Sequence, residues 1–314
     1  MTGPSHGIFN VDKPPGITSM DVVRQIKRLS SQRHVGHAGT LDPAATGVLP
    51  VCLGQATRLM QFIVNTGKEY LATVHLGVST DTYDGLGEVT HRQDASDITV
   101  GMVEAALAPF RGMVEQTPPA FSALKKQGRR LYALARDGVA VQAPPRTVEV
   151  HKLELVEWQP PEARLLVECS RGFYVRSLAH DLGQALGCGG HLSELRRLRT
   201  GTFCADDATP LEALKTSLEN GTWEPLLLPP DSVVLHLPAV QMDSWEARQV
   251  THGQAVPLSP GTHYASHLQQ ARGYSRDGLF VALMRFDRAA AVWQPFKVFD
   301  MDRPSPYSNH NPLV

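Results

Sequence analysis

The chain has 314 residues, a formal net charge of −1, 42% apolar residues and 19% charged residues. This composition favours a packed protein with one large and one smaller domain, and it excludes a wholly disordered chain. The near-zero charge argues against a general nucleic-acid coat protein but allows a basic face on a site-specific RNA enzyme.

The cysteines show no metal or disulfide pattern. Cys52, Cys169, Cys188 and Cys204 form no CxxC pair and no zinc-finger spacing with histidine. We therefore expect buried, reduced thiols and no metal site. No signal peptide is predicted, and no apolar run approaches the ~20 residues of a membrane span. A cytoplasmic location is the resulting expectation.

The first elements in the chain are a strand, a helix and a long loop. A strand is predicted at 8–12, and Lys13-Pro-Pro-Gly16 should end it. Thr18 and Ser19 are natural N-caps for the next segment. That segment has apolar residues at helical spacing and basic residues on the other side: Val22, Val23, Ile26 and Leu29 against Arg24, Lys27 and Arg28. Residues 33–50 are rich in Gly, Thr and Pro and predict a loop, and a strand and helix are expected within 47–59.

The middle of the chain mixes strands and helices. In chain order the pattern predicts a strand at 70–76, an acidic loop at 81–89, helices at 103–110 and 131–136, strands at 148–156 and 164–169, and helices at 175–186 and 192–199. After a boundary at Pro229-Pro230, a helix at 245–252 and strands at 279–285 and 291–299 indicate a small β-rich unit.

The absence of a regular βαβ rhythm favours an α+β fold with a mixed, largely antiparallel sheet and flanking helices. The sequence also lacks GxxxxGK[ST] and a GxGxxG after a strand, so ATP- and NAD-dependent chemistry has no motif to support it.

Asp42 lies in a glycine-bounded loop, Gly36-His-Ala-Gly-Thr-Leu-Asp-Pro-Ala-Ala-Thr-Gly47. A carboxylate there could act as nucleophile or general base. On local pattern alone a turn residue is the more common explanation, because Asp before Pro often starts a turn.

Arg176 and Tyr70 are the other candidates for a role in catalysis. Arg176 follows a predicted strand at the start of a helix, where arginine usually has a structural role. A buried arginine needs an anion, and Asp42 would supply one. Tyr70 begins a predicted strand and is either a core aromatic or a platform on which a base stacks.

Basic residues form clusters that could face RNA. Lys68 precedes Tyr70 and could touch a phosphate. The two clusters are Lys125, Lys126, Arg129 and Arg130, and Arg196, Arg197 and Arg199. Such clusters are usually solvated surface. Acidic residues are concentrated elsewhere, at 81–88, which would leave one side of a neutral protein basic.

Several segments together resemble the TruB family of tRNA pseudouridine synthases. The similar segments are 7–19 at the N-terminus, 36–47 around Asp42, 68–70 around Tyr70, 116–125 with Leu131-Tyr132, 171–183 around Arg176, and 195–197. The C-terminal region resembles the family's PUA-type RNA-binding domain more weakly, through 253–257 and 278–282.

The resemblance implies a pseudouridine synthase fold, with a catalytic domain at 1–232, an RNA-gripping insertion at about 112–147, a PUA-like domain at 236–302 and a tail at 303–314. It makes Asp42 the catalytic aspartate, Arg176 its ion-pair partner and Tyr70 the aromatic that stacks on the target base. His37 would fill the gap left in the T-loop, and Leu195 would line an apolar pocket. Lys13 and Lys125 map near the active site or the RNA backbone.

The family uses no cofactor or metal, and the resemblance implies tRNA as the partner, a monomer and no obligate protein partner. A uridine-directed glycosylase, a non-catalytic RNA-binding protein and a subunit of a guide-RNA particle are alternatives. The long insertion favours a stand-alone enzyme, and assistance in tRNA folding could coexist with catalysis. Whether Asp42 attacks C6, attacks C1′ or abstracts the 2′ proton stays open.

Overall fold

The computed structural model describes residues 5–121, 143–257 and 265–313, together with the backbone of two short strands at 125–126 and 129–130. The expected helix at 131–136 and the side chains of Lys125, Lys126, Arg129 and Arg130 lie outside the described residues. The free cysteines Cys52, Cys169 and Cys188 are buried and Cys204 is half-buried, as expected. None of the described helices combines the length and apolar character that crossing a membrane would require.

The described elements comprise both strands and helices. The strands are β1 (Gly7–Lys13), β2 (Val35–His37), β3 (Thr46–Leu53), β4 (Lys68–Leu76), β5 (Val78–Thr80), β6 (Val89–Arg92), β7 (Gly112–Gln116), β8 (Lys125–Lys126), β9 (Arg129–Arg130), β10 (Arg146–Gln159), β11 (Glu162–Cys169), β12 (Gly190–Thr200), β13 (Phe203–Cys204), β14 (Thr209–Pro210), β15 (Ala239–Met242), β16 (Val256–Pro257), β17 (Gln270–Ser275), β18 (Phe280–Asp287) and β19 (Val292–Val298). The α-helices are α1 (Ser19–Ser30), α2 (Met60–Val64), α3 (Val100–Leu107), α4 (Val175–Ala185), α5 (Leu211–Asn220) and α6 (Ser244–Thr251).

A mixed ten-stranded sheet forms the large domain, in the order β14-β1-β3-β12-β4-β11-β10-β7, with β2 on β3 and β13 on β12. Only the β1–β14 and β3–β12 pairs are parallel, and the other pairs of this sheet are antiparallel. The predicted α+β class with a mixed, largely antiparallel sheet and flanking helices is confirmed. Two core layers explain the apolar runs of β1 and β3, since their alternate residues face opposite sides.

On one side of the sheet, α1, α3, α4 and α5 bury their apolar faces. Thr18 caps α1 as predicted: its side chain accepts from the Asp21 amide, and the Asp21 side chain accepts from the Thr18 amide. The predicted basic outer face is confirmed, since Arg24, Lys27 and Arg28 are exposed. This helix holds the segment before the Asp42 loop against the sheet.

The other side of β1 and β3 packs against a C-terminal five-stranded sheet, ordered β15-β17-β18-β19-β16. Ile8 and Val48 of the large sheet share one apolar cluster with Tyr274 and Phe280 of the small one. Residues expected to form a tail run back along β15, where the amide of Leu313 donates to Ala239 O.

Two predictions about local structure are wrong. Residues 192–199 form the central strand β12 instead of a helix, and the predicted loop 33–50 contains the short strand β2, whereas the strand expected within 47–59 is β3. In β12, two irregularities in the register with β4, at Leu192/Glu194 and Arg197/Arg199, interrupt the two-residue alternation of a strand. Burial consequently does not alternate along the whole of β12, whose buried residues are Gly190, Leu192, Arg197 and Thr200.

Candidate active site

The loop 38–45 connects β2 to β3 and carries Asp42. On the N-terminal side of Asp42, the Ser19 hydroxyl accepts from Leu41 N at 2.8 Å and donates to Leu41 O at 3.0 Å. On its C-terminal side, Pro43 O accepts from Lys13 Nζ at 3.2 Å and from Gly16 N at 2.9 Å. Asp42 is therefore held from both neighbours, which reduces the conformational freedom that its carboxylate would otherwise have.

Arg197 also holds the loop that carries Asp42. Its side chain is 1% exposed and donates to the carbonyls of Val48 at 2.7 Å, Thr40 at 3.4 Å and Gly39 at 3.0 Å. Gly47 has φ +98°, and a Cβ there would lie 2.2 Å from Arg197 O. Only glycine permits this approach of β3 to β12, because it has no Cβ to collide with the carbonyl.

The structure brings Asp42 and Arg176 together across 134 residues of sequence. Arg176 Nε lies 2.9 Å from Asp42 Oδ2, and Nη2 donates to Oδ1 at 3.4 Å. The Arg176 side chain is 7% exposed, whereas the Asp42 side chain is 41% exposed. The guanidinium is thus enclosed, and the carboxylate remains open to a substrate.

Two backbone carbonyls fix the rest of the guanidinium. Nη1 donates to Thr82 O at 3.0 Å, and Nη2 donates to Phe121 O at 2.9 Å. Phe121 lies within the insertion at about 112–147 that is predicted to grip RNA. The Arg176 guanidinium, which orients Asp42, therefore connects α4 to the loop after β5 and to the predicted insertion.

Asp84 is a site residue that the sequence did not single out. Its Oδ2 lies 3.6 Å from Arg176 Nη1, and its side chain is 16% exposed. In the sequence, the acidic segment 81–88 is notable only as separate from the basic clusters, and the structure places Asp84 of this segment beside Arg176. The acidic residues of this loop form no pattern in the sequence that would indicate the distant helix against which the loop packs.

The pKa of the Asp42 carboxyl lies above its usual value, chiefly because the packed surroundings disfavour its charged form. The Asp84 carboxylate raises the pKa further, whereas the positive charges of Arg176 and Lys13 lower it. The arrangement contains a carboxylate that a cation orients and whose basicity is increased by burial and by the Asp84 carboxylate. Such a group can serve as a nucleophile or as a general base.

Tyr70, Leu195 and His37 lie on three strands of the large sheet, β4, β12 and β2. Tyr70 on β4 is 8% exposed, and it pairs with Arg197 in the β4–β12 ladder. Burial raises the pKa of its hydroxyl, and the Arg197 guanidinium opposes that shift. Leu195 is half-buried on β12 opposite Ala72. His37 ends β2; burial and then Arg197 lower its pKa, so a neutral ring is expected at pH 7.

Lys13 and Lys68 do not lie where an RNA phosphate could reach them easily. Lys13 is 0% exposed, donates to Pro14 O, Ile17 O and Pro43 O, and has a pKa lowered to about 8 by burial. Lys68 is 8% exposed and donates to Val64 O and Thr66 O, and burial lowers its pKa to about 8 as well. These positions, like that of Arg197, support a role in holding loops and give no support to direct phosphate contact.

Arg196 is the member of the β12 cluster that pairs with Asp12. Its two terminal nitrogens donate to the two oxygens of Asp12 at 3.1 and 2.9 Å, and its side chain is 39% exposed. Arg199 instead contacts Glu168 and Glu69. Within the described ranges, no group of three or more His, Cys, Asp or Glu side chains could hold a metal ion.

Family models match two adjacent stretches of the chain. Residues 27–175 match the N-terminal domain of the TruB family pseudouridylate synthases, and residues 176–235 match the C-terminal domain of tRNA pseudouridylate synthase B. The chain is 39% identical over 303 residues to tRNA pseudouridine synthase B of Dehalococcoides mccartyi, which covers 96% of this chain and 99% of the relative. The chain belongs to the TruB family.

Another TruB relative and a solved structure extend this comparison. The chain is 47% identical over 252 residues to tRNA pseudouridine synthase B of Symbiobacterium thermophilum, covering 79% of this chain and 82% of the relative. A chain in the crystal structure of a Cbf5-Nop10-Gar1 complex is 30% identical, with a TM-score of 0.70 and coverage of 98% of this chain and 87% of that one. The TruB fold predicted from the motifs is thereby confirmed.

The position of Asp84 in this TruB site leads to a prediction about pH. If Asp42 acts in its ionised form, activity falls on acidification through the pKa of Asp42. The Asp84 carboxylate raises that pKa, so Asp84→Asn should lower it and move the acid limb of kcat/KM to lower pH. Asparagine can still accept from Thr82 Oγ1 and Leu86 N at the Oδ1 position.

The pH–rate profiles of the wild type and Asp84→Asn should be measured beside Asp94→Asn. Asp94 is an exposed carboxylate whose side chain contacts Ser96. An acid limb that moves to higher pH in Asp84→Asn, or that moves equally in both variants, would contradict the assigned effect of Asp84.

Proposed function

We propose that this protein converts uridine to pseudouridine at position 55 in the T-loop of tRNA. The observation that carries the proposal is the open Asp42 carboxylate held 2.9 Å from the buried Arg176. It lies in a chain of the TruB family whose relatives are named tRNA pseudouridine synthase B. One fold can carry different reactions, so the proposal rests on the residues of the site and not on the fold alone.

The reaction begins with removal of the target uridine from the stacked T-loop, which costs a few kcal/mol. Contacts to the RNA backbone and stacking on Tyr70 offset that cost. His37 fills the space that the base leaves. Leu195, half-buried beside the core, forms part of the wall that keeps the detached base in place.

Asp42 then drives an exchange of bonds at the nucleoside. The N1–C1′ bond breaks, uracil turns in the pocket, and C5 bonds to C1′. C5 loses a proton while N1 gains one, so the product is an isomer and the reaction has no net oxidation. Attack on C6, attack on C1′ and abstraction of the 2′ proton are three first steps that a carboxylate at this position could perform.

The proposal extends to how tRNA is held. The catalytic domain occupies 1–232, and the insertion at about 112–147 grips the RNA with Lys125, Lys126, Arg129 and Arg130. The PUA-like domain at 236–302 adds RNA contacts, and the exposed part of Arg196 lies beside the site. The protein acts as a monomer in the cytoplasm without an obligate protein partner.

The test is tritium release from tRNA labelled with [5-³H]uridine, combined with mass analysis of the RNA. Isomerisation releases tritium from C5 and leaves the mass of unlabelled RNA unchanged, whereas a glycosylase releases free uracil. A tRNA with cytidine at position 55 is the control. Equal release from both tRNAs, or the appearance of uracil, would overturn the proposal.

Tyr70 gives a prediction about the stacking step. Tyr70→Phe keeps the aromatic face and should retain most activity. Tyr70→Leu keeps an apolar side chain but loses the stacking surface, which corresponds to about 1–3 kcal/mol per base or roughly a tenfold to hundredfold loss. Single-turnover rates of the two variants provide the measurement, and equal rates would argue against stacking.

A further inference from the structure

The loop between β5 and β6 supplies two groups to Arg176, the Thr82 carbonyl and the Asp84 carboxylate. Tyr83 lies between them and adopts φ +63°, in the left-handed region. That conformation is unfavourable for a residue other than glycine. It persists when surrounding contacts determine it, and the contacts of Tyr83 are therefore informative.

The backbone of the loop is attached to the central strand β12. Leu192 N donates to Tyr83 O at 3.0 Å, and Gly85 N donates to Leu192 O at 3.0 Å. These bonds fix the outer edge of the loop to the sheet. The position of the loop relative to α4 is set instead by contacts between side chains.

The side chain that makes this contact is Tyr83. Its ring stacks on His180, with centroids 3.9 Å apart and an angle of 12° between the planes. His180 is four residues after Arg176 in α4, so both side chains lie on the same face of the helix. The helix and the loop therefore meet at two adjacent points, the ring stack and the bond from Arg176 to Thr82 O.

The ring stack favours one orientation of the arginine. Arg176 lies between two carboxylates, with Nε 2.9 Å from Asp42 and Nη1 3.6 Å from Asp84. A loop that moved relative to α4 would carry Thr82 O and Asp84 with it, and the guanidinium would follow these partners away from Asp42. Burial lowers the pKa of His180, so at neutral pH its ring stacks without a charge to solvate.

We propose that Tyr83 and His180 are positioning residues for the Arg176–Asp42 pair, acting through their ring stack. The proposal rests on the function proposed above and adds two residues that do not touch the reacting atoms. Aromatic pairs of this kind add a stabilising energy beyond that of their buried area. That energy is sufficient to select between neighbouring orientations of a loop.

The kinetic test compares Tyr83→Ala, Tyr83→Phe, His180→Ala and the double alanine variant. Alanine and phenylalanine keep the same backbone demand at φ +63°, so they differ mainly in the ring. Tyr83→Ala and His180→Ala should each lower the single-turnover rate roughly tenfold to a hundredfold, as expected when a reacting group is displaced by about 1 Å. The dissociation constant for tRNA should stay unchanged, and Tyr83→Phe should restore the rate.

The double variant should lose no more than either single variant, because both substitutions remove one stack. Additive losses, equal loss in Tyr83→Phe and Tyr83→Ala, or weaker tRNA binding with an unchanged rate would overturn the proposal. The last outcome would indicate that Tyr83 contacts RNA.

A second readout needs no reaction. In protein labelled with ¹⁵N-arginine, the Nε–H signal of Arg176 is identified by its disappearance in Arg176→Lys. It should shift or broaden in Tyr83→Ala and remain in place in Tyr83→Phe, and an unchanged signal in both would overturn the proposal. If the wild type releases no tritium, the proposed function fails, while this signal still decides whether the stack positions Arg176.

Discussion

Asp42→Asn is expected to reduce tritium release from [5-³H]uridine-labelled tRNA by at least about a thousandfold, since removal of a nucleophile or positioned base commonly costs this much. Asparagine has nearly the same size and can occupy the same loop. It lacks the negative charge and the basicity that any of the three possible first steps requires. The expected loss is therefore chemical and does not depend on which step is correct.

Binding should survive in the Asp42→Asn variant. The loop is held by Ser19, Lys13 and Arg197 through backbone atoms that the substitution leaves in place. Arg176 would keep Asp84 and two carbonyls as partners, so the buried cation is not left alone. The dissociation constant for tRNA should accordingly stay close to that of the wild type.

Asp94→Asn is the matched control, because it removes the charge of an exposed carboxylate outside the site. It should retain full tritium release. Substantial turnover by Asp42→Asn would refute the central role of Asp42, and loss of tRNA binding in that variant would move its role from catalysis to recognition.

The motifs explain why the fold class and the Asp42–Arg176 pair could be predicted. A carboxylate in a glycine-bounded loop is ambiguous when it is considered alone. An arginine at the start of a distant helix becomes its partner once the resemblance places both in one site. The structure then shows the contact directly, with Arg176 Nε 2.9 Å from Asp42.

The helix predicted at 192–199 shows where pattern reasoning is inadequate. Leu, Glu and Arg favour helices on intrinsic grounds, and Leu192 and Leu195 have helical spacing. The strand is instead determined by pairing with β4 and β3 from distant parts of the chain. Its register irregularities at Leu192/Glu194 and Arg197/Arg199 arise from that pairing and have no local sequence signal.

The positions of Asp84 and of the buried cations Lys13 and Arg197 could not be predicted from the sequence either. Arg197 belonged to a basic cluster that could face RNA, and the resemblance mapped Lys13 near the active site or the RNA backbone. In the structure their donors satisfy carbonyls of the loop that carries Asp42. Which cations enter a core depends on the carbonyls that the tertiary fold leaves unpaired, and single-sequence patterns do not contain that information.

Arg176→Met is expected to have an effect second only to the loss of Asp42. The variant removes the partner of the Asp42 carboxylate and the donors to Thr82 O and Phe121 O. We expect the single-turnover rate to fall by about a hundredfold to ten-thousandfold, because misplacement of a reacting group and loss of its electrostatic partner act together. Arg176→Lys keeps the charge, but one ammonium cannot contact all four partners of the guanidinium, so its rate should be intermediate.

The pH profile separates the electrostatic part of this loss from a structural one. Arg176 lowers the pKa of Asp42, whereas burial and Asp84 raise it. Removing the arginine therefore raises the pKa further, and the acid limb of the residual activity in Arg176→Met should move to higher pH, opposite to the shift expected for Asp84→Asn. Arg164→Met is the control, since Arg164 forms an exposed pair with Glu157. An unchanged acid limb in Arg176→Met would mean that the limb does not report the titration of Asp42, because a charge 2.9 Å from Asp42 cannot be removed without altering the proton affinity of its carboxylate.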